Sequence, residues 1–125
     1  MVSKKEKNES FSPEEMLEAI MRKWAILILK DIFIGAKTFN DFLKMNDRIS
    51  GKVLSDQLKH LEKYGYIKKV VVSVTPLKAE YQLTTLGKKL NKVIYEMCVY
   101  ARDNLDAEKE YEHFKEENLK KYFGI

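Results

Sequence analysis

The sequence predicts a mainly helical domain that carries one small β-hairpin. Three observations predict it. Apolar residues recur at three- and four-residue steps through most of the chain, the spacing of helices with one buried face. A single stretch, residues 66–83, is instead rich in Val and Ile and turns on a proline, Pro76. Immediately before it, residues 38–64 hold two short helical patterns joined by a compact turn. Helix, turn, helix and hairpin in that order form the layout of a winged helix–turn–helix, a three-helix core plus a β wing.

Bulk composition bounds the reading. At 125 residues, 45% apolar and 34% charged, the chain fits one ordinary globular domain. Its longest uninterrupted apolar run, Trp24 to Leu29, is far short of a bilayer span, so no membrane partner is expected. The opening MVSKKEKNES has no apolar core of a signal peptide, which predicts a cytoplasmic protein. The single cysteine, Cys98, cannot form an internal disulfide, in keeping with a reducing compartment.

The elements follow in order. Residues 1–12 are polar and Lys/Glu-rich, a flexible arm. Ser12-Pro13-Glu14-Glu15 starts a helix: Ser12 caps, Pro13 fits the first turn, and the acids favour the positive end of the dipole. Met16, Leu17 and Ile20 form its stripe, which ends near Arg22. Lys23 to Ile34 is apolar on nearly every side and predicts a central buried helix, with a buried strand for AILIL as the alternative; Gly35 stops it.

Thr38 caps a short helix with Phe39, Phe42 and Leu43, and Met45-Asn46-Asp47-Arg48 makes a turn. Ser50 caps the next helix, about 50–64, whose apolar stripe is Val53, Leu54, Leu58, Leu61 and Tyr64; Gly65 closes it. Strands from Tyr66 to Thr75 and from Ala79 to Leu83 flank the turn Thr75-Pro76-Leu77-Lys78. Thr84 or Thr85 then caps one long helix with Leu86, Leu90, Val93, Ile94, Met97 and Ala101 in a stripe. One domain of this size has little core left to cover that stripe, so helix-to-helix dimerisation is expected. Residues 13–104 therefore form the domain, and residues 105–125 a charged helical tail carrying Leu105, Tyr111, Phe114, Leu119 and Tyr122.

Charge singles out the middle of the chain. From Lys37 to Lys78 nine basic residues face four acids, whereas from Asp103 onward seven acids face four lysines. Positive charge on the helix–turn–helix and hairpin suits a phosphate-bearing partner, double-stranded DNA. The major groove admits one helix, held by an apolar face and reading with a polar one. On helix 50–64 that polar face offers Lys52 and Lys59 for phosphates or guanine edges, and Ser50, Ser55 and Gln57 for shorter contacts. Lys37, Thr38 and Asn40 at the preceding helix, Arg48 in the turn and Lys78 on the wing (about 72–80) complete the candidate DNA-binding set. Asp56 is repelled by phosphate unless it reads a cytosine amino group, pairs with Lys52 or Lys59, or points away.

Other chemistries find no constellation. There is no Gly-rich phosphate loop, no Ser/His/Asp grouping and no nucleophile motif, so neither an enzyme nor a cofactor is expected. His60 and His113 share no metal-ligand spacing with each other or with Cys98. Trp24 reads as core, and Cys98 as a small packed residue.

Four pieces in order resemble the HxlR-type winged-helix transcriptional regulators, relatives of the MarR-like regulators. They are KWAILILKDI (Lys23–Ile32), Gly35-x-x-Thr38-Phe39-Asn40-Asp41-Phe42, ISGKVLSDQLKHLEKYGYI (Ile49–Ile67), and Pro76 with Glu80-Tyr81-Gln82-Leu83-Thr84 and Gly87. The resemblance spans roughly residues 14–104. It implies a cytoplasmic repressor or other regulator that binds a near-palindromic operator as a homodimer, paired through helices about 14–22 and 85–104. Two departures stand out: Leu77 occupies the place of a commonly second wing proline, and no cysteine precedes the first helix. Competing readings are a winged helix that binds proteins rather than DNA, and a ligand- or redox-responsive switch with an apolar pocket at the dimer seam.

Overall fold

The computed structural model describes residues 11–104 and 112–125; the expected arm over 1–10 and tail residues Leu105 to Tyr111 lie outside them. The order is α1 (Pro13–Ile20), α2 (Ala25–Phe33), α3 (Phe39–Met45), α4 (Gly51–Lys63), β1 (Ile67–Val74), β2 (Leu77–Leu83), α5 (Thr85–Lys88) and α6 (Asn91–Asp103). A 3₁₀ turn (Glu112–Phe114) and α7 (Glu116–Phe123) follow. The architecture is a winged helix–turn–helix: mostly helical, with one two-stranded antiparallel hairpin.

Side-chain caps set the starts of four helices. Ser12 accepts from the Glu15 amide and Glu15 reaches back to the Ser12 amide. Thr38 and Asp41 repeat this reciprocal pair at α3. Ser50 accepts from Val53 at α4, and Thr84 from Gly87 at α5. Each cap satisfies helix-end amides that have no partner within the helix. At the other end of α4, Gly65 has φ +84°, a left-handed turn that costs glycine nothing and carries the chain into β1.

The core is built on α2. Ala25, Ile28 and Leu29 are fully buried and pack with Phe42, Leu54, Leu58, Leu61, Ile67 and Ile94. AILIL is thus helix, not strand. Within α2 lies a group unexpected from hydropathy, the fully buried Asp31. Its Oδ2 accepts from Asn46 at the end of α3, and the Lys30 ammonium stands 2.9 Å from Oδ1, which receives no aligned hydrogen bond. Desolvation pushes the carboxyl above its ordinary range, partly countered by Lys30.

The wing runs in antiparallel register from Ile67 opposite Leu83 to Val74 opposite Leu77, with a shift between Val71 and Ser73. Thr75–Pro76, a cis peptide, is the whole connection. Leu77 and Lys78, expected in the turn, are therefore strand residues. The hairpin is tied to the rest of the domain by the Tyr81 amide, which donates to the Lys37 carbonyl at 2.7 Å.

Two expectations change. The long helix after the wing is broken into α5 and α6 at Lys89 and Leu90, whose amides bond three residues back. Just before the break, Gly87 lies hard against the Tyr66 carbonyl. Within α6 the expected stripe also divides: Ile94 is buried with Tyr95 and Cys98, whereas Val93 and Met97 are exposed.

The second change concerns the tail. Its described part, residues 112–125, folds onto the domain, with Leu119 and Phe123 in the core. The Phe123 ring lies 4.7 Å from that of Phe33. Arg102 pairs with Glu116 at 2.7 Å, and Tyr95 donates to the same carboxylate. Asn91 donates to the Phe123 carbonyl, and Gly124 ends the helix at φ +67°. The charges that mark this segment cover its outer side, while an i, i+4 apolar pair faces inward.

Candidate nucleic-acid interface

Helix α4 has two opposed faces. Leu54, Leu58 and Leu61 are buried, which fixes the helix to the domain. Lys52, Asp56, Lys59 and Lys63 recur at four- and three-residue steps along the exposed side. Ser55, half-buried, lies at the margin. Ser50 is exposed; its hydroxyl oxygen accepts from Val53, yet its proton remains available to a second partner.

Gln57, expected among the outward polar contacts, is instead buried at 7% exposure, with no partner for its Oε1. Val53, expected in the buried stripe, is 36% exposed and lies on the outer side beside Lys52. The two exchange places because Gln57 sits nearer the axis of the leucine stripe.

The start of α3 presents Lys37 and Asn40, both exposed. Thr38 is half-buried and its side chain is engaged in the cap with Asp41. The amides of Thr38 and Lys37 hold the Asp41 carboxylate, keeping it below its ordinary range. Arg48, between α3 and α4, places its guanidinium 5.8 Å from the centre of the Trp24 ring, and Lys23 approaches the same indole at 5.5 Å. Trp24 is buried in the core and serves as a platform that orients Arg48. Lys78 is exposed near the wing tip, opposite Ser73.

Three groups thus form on one continuous part of the chain: the start of α3, the turn with the outer side of α4, and the wing. Lys63, on the polar face of the same helix, and the wing lysines Lys68 and Lys69 stand outside the expected DNA-contact set and are also exposed.

The ion pairs lie elsewhere. Among the described residues they involve Lys30, Arg102, Lys115 and Lys120. None of Lys37, Arg48, Lys52, Lys59 or Lys78 is in an ion pair there, nor is Asp56. Among the described residues these five cations are thus left without an acidic partner.

The HxlR-like helix-turn-helix family profile matches residues 19–109, most of the chain. The chain belongs to this family. The HxlR-like proteins it is similar to are transcriptional regulators, not enzymes. An uncharacterised HTH-type transcriptional regulator of Bacillus subtilis, YvaP, is 32% identical over 74% of this chain and 86% of its own length. Another from the same species, YdeP, is 38% identical over 67% of this chain and 66% of its own. Among solved structures, the redox regulator HypR in its reduced form aligns with TM-score 0.68 at 32% identity, covering 80% of this chain and all of HypR. A putative HTH-type regulator, ytcD, aligns with TM-score 0.67 at 30% identity over 74% and 96% of the two chains.

No helix among the described residues is long and apolar enough to cross a membrane, and no group of His, Cys, Asp and Glu side chains among them is placed to hold a metal ion. Cys98 is buried, and that burial pushes its thiol up, away from the reactive thiolate.

Proposed function

We propose that the protein is a sequence-specific DNA-binding transcriptional regulator, a repressor that binds a near-palindromic operator as a homodimer. Helix α4 enters the major groove. Lys52 and Lys59 meet phosphates or guanine edges, while Ser50 and Ser55 make shorter contacts. Lys37, Thr38 and Asn40 approach the backbone beside Arg48, and Lys78 carries the wing to the flanking groove. One observation carries the reading: α4 is anchored by a leucine face and turns outward lysines that no ion pair neutralises among the described residues.

Pairing of two copies is supported by apolar side chains left outside the core. Leu17 and Met21 at α1 are 58% and 74% exposed; Val93, Met97 and Tyr100 on α6 are 52%, 47% and 72% exposed. Pairing through α1 and α6 would cover these side chains and set two copies of α4 at adjacent half-sites.

A redox-switch reading is less well supported. HypR is described as a redox regulator, but Cys98 is this chain's sole cysteine and its thiol is buried. Enrichment of bound sequences from random duplex DNA tests the proposal. The expected product is palindromic, with half-sites about one helical turn apart. No enrichment at low salt would reject it.

A further inference from the structure

We propose that Val74 and Leu77 form an apolar wedge at the wing tip, which seats on the floor of a DNA minor groove and selects A·T pairs there. The inference rests on the DNA-binding reading above and assigns the wing a specificity of its own.

Val74 and Leu77 face each other across the two-residue connection and form the last cross-strand pair of the hairpin. They are 77% and 73% exposed. Beyond Ser73, Val71 and Val72 on β1 are exposed as well. Exposed hairpin edges are ordinarily protected by charge or by polar side chains, because apolar ones invite association. Here one cation stands beside the apolar tip and two more lie at the base of the strand. Lys78 stands opposite Ser73, next to the Val74–Leu77 pair, and Lys68 and Lys69 lie further down β1. All three lysines are exposed, and none is in an ion pair among the described residues.

The occupant must therefore accept a small apolar projection with the positive charge of Lys78 beside it. A minor groove offers both. Its rims are phosphate, and its interior is lined by sugar carbons and base edges, where Leu and Pro side chains are known to wedge. Base composition then matters. At A·T pairs the groove floor carries only the adenine N3 and thymine O2 acceptors; at G·C pairs the guanine 2-amino group projects from it. Leu77 has no acceptor for that amino group, so a guanine beneath the tip both blocks the wedge and is left without a partner.

The test uses the full-length protein and the enriched operator, measured by fluorescence anisotropy. The positions flanking each half-site are made A·T, G·C or inosine·C. Inosine keeps guanine's major-groove edge but lacks the 2-amino group. The expected result is equal affinity for A·T and inosine·C flanks, and affinity on the order of tenfold weaker for G·C flanks. Val74→Ser with Leu77→Ser, at exposed positions, should erase the difference while leaving the thermal midpoint unchanged.

Equal affinity for A·T and G·C flanks would overturn the wedge, as would inosine·C behaving like G·C. Persistence of the preference in the double variant would do the same. A variant that changes oligomeric state on gel filtration and keeps the flank preference would assign the tip to protein contact instead. Binding that ignores the flank defeats the wedge alone; failure to bind any duplex defeats the DNA-binding reading with it.

Discussion

Gly87 faces the carbonyl oxygen of Tyr66 so closely that a Cβ built on it would stand 2.2 Å from that oxygen. Tyr66 enters the wing and Gly87 leaves it, so this approach closes the base of the hairpin. Thr84 reinforces it by donating its hydroxyl to the carbonyls of Gly65 and Tyr66. The Tyr66 hydroxyl in turn donates to the Met16 carbonyl on α1. The wing base is thereby fixed to the helices on either side.

Gly87→Ala should therefore cost about 1–3 kcal/mol, the usual range for overfilling a packed site. Gly51→Ala supplies the contrast. A Cβ there would meet only the Phe39 ring at an ordinary 3.9 Å. At a helix start without a positive φ, that change should be neutral or stabilising by up to about 1 kcal/mol. Urea unfolding of both variants distinguishes the cases; equal effects would contradict the close approach.

Phe123→Ala should destabilise the chain by about 3–5 kcal/mol, as for a large buried ring. The contacts of Phe123 with Phe33 and Tyr95 lie within one chain. The loss in urea unfolding should thus appear whether or not the protein is dimeric. A change below about 1 kcal/mol would show that α7 does not belong to the core.

His60 predicts a pH dependence. Arg22 donates to its Nδ1 at 2.7 Å, and its Nε2 lies 3.1 Å from the Ala19 carbonyl, which together call for the neutral ring protonated on Nε2. Burial, chiefly, lowers its pKa below the ordinary 6.5, with Arg22 and Lys63 adding repulsion against the Ala19 bond. In the unfolded chain the ring takes up a proton first as pH falls. The stabilisation is therefore complete above about 6.5 and is lost as pH falls below it toward the folded-state value. The thermal midpoint of the wild type should drop more between pH 7 and 5 than that of His60→Gln (an assay window around the ordinary value). Parallel curves would contradict the assignment.

Much of this architecture is legible from residues alone, and the misses have physical causes. Thr38, Ser50 and Gly65 mark helix ends through local hydrogen bonding and backbone freedom, which depend little on the rest of the fold. Gln57 and Val53 were exchanged because the stripe was read by hydropathy. At about 100° per residue, Gln57 lies about 60° from Leu54 around the helix, and Val53 about 100°. Angle decides burial there, and the glutamine goes inside at the cost of an orphaned oxygen.

The break before α6 lies beside the Gly87 approach, a long-range contact that helical periodicity does not encode. In α7, two inward residues among many charges were too few to outweigh composition. Yet Glu116 and Glu117 at its start, Lys120 and Lys121 at its end, and Gly124 beyond are the marks of a complete short helix.

The outer side of α4 carries the functional account, and salt dependence tests it most directly. With the enriched operator, log Kd should rise linearly with log salt concentration. Lys52→Ala with Lys59→Ala should weaken binding, lower that slope by about one for each lysine that meets a phosphate, and leave the thermal midpoint unchanged. A folded double variant with wild-type affinity and slope would contradict α4 as the reading helix.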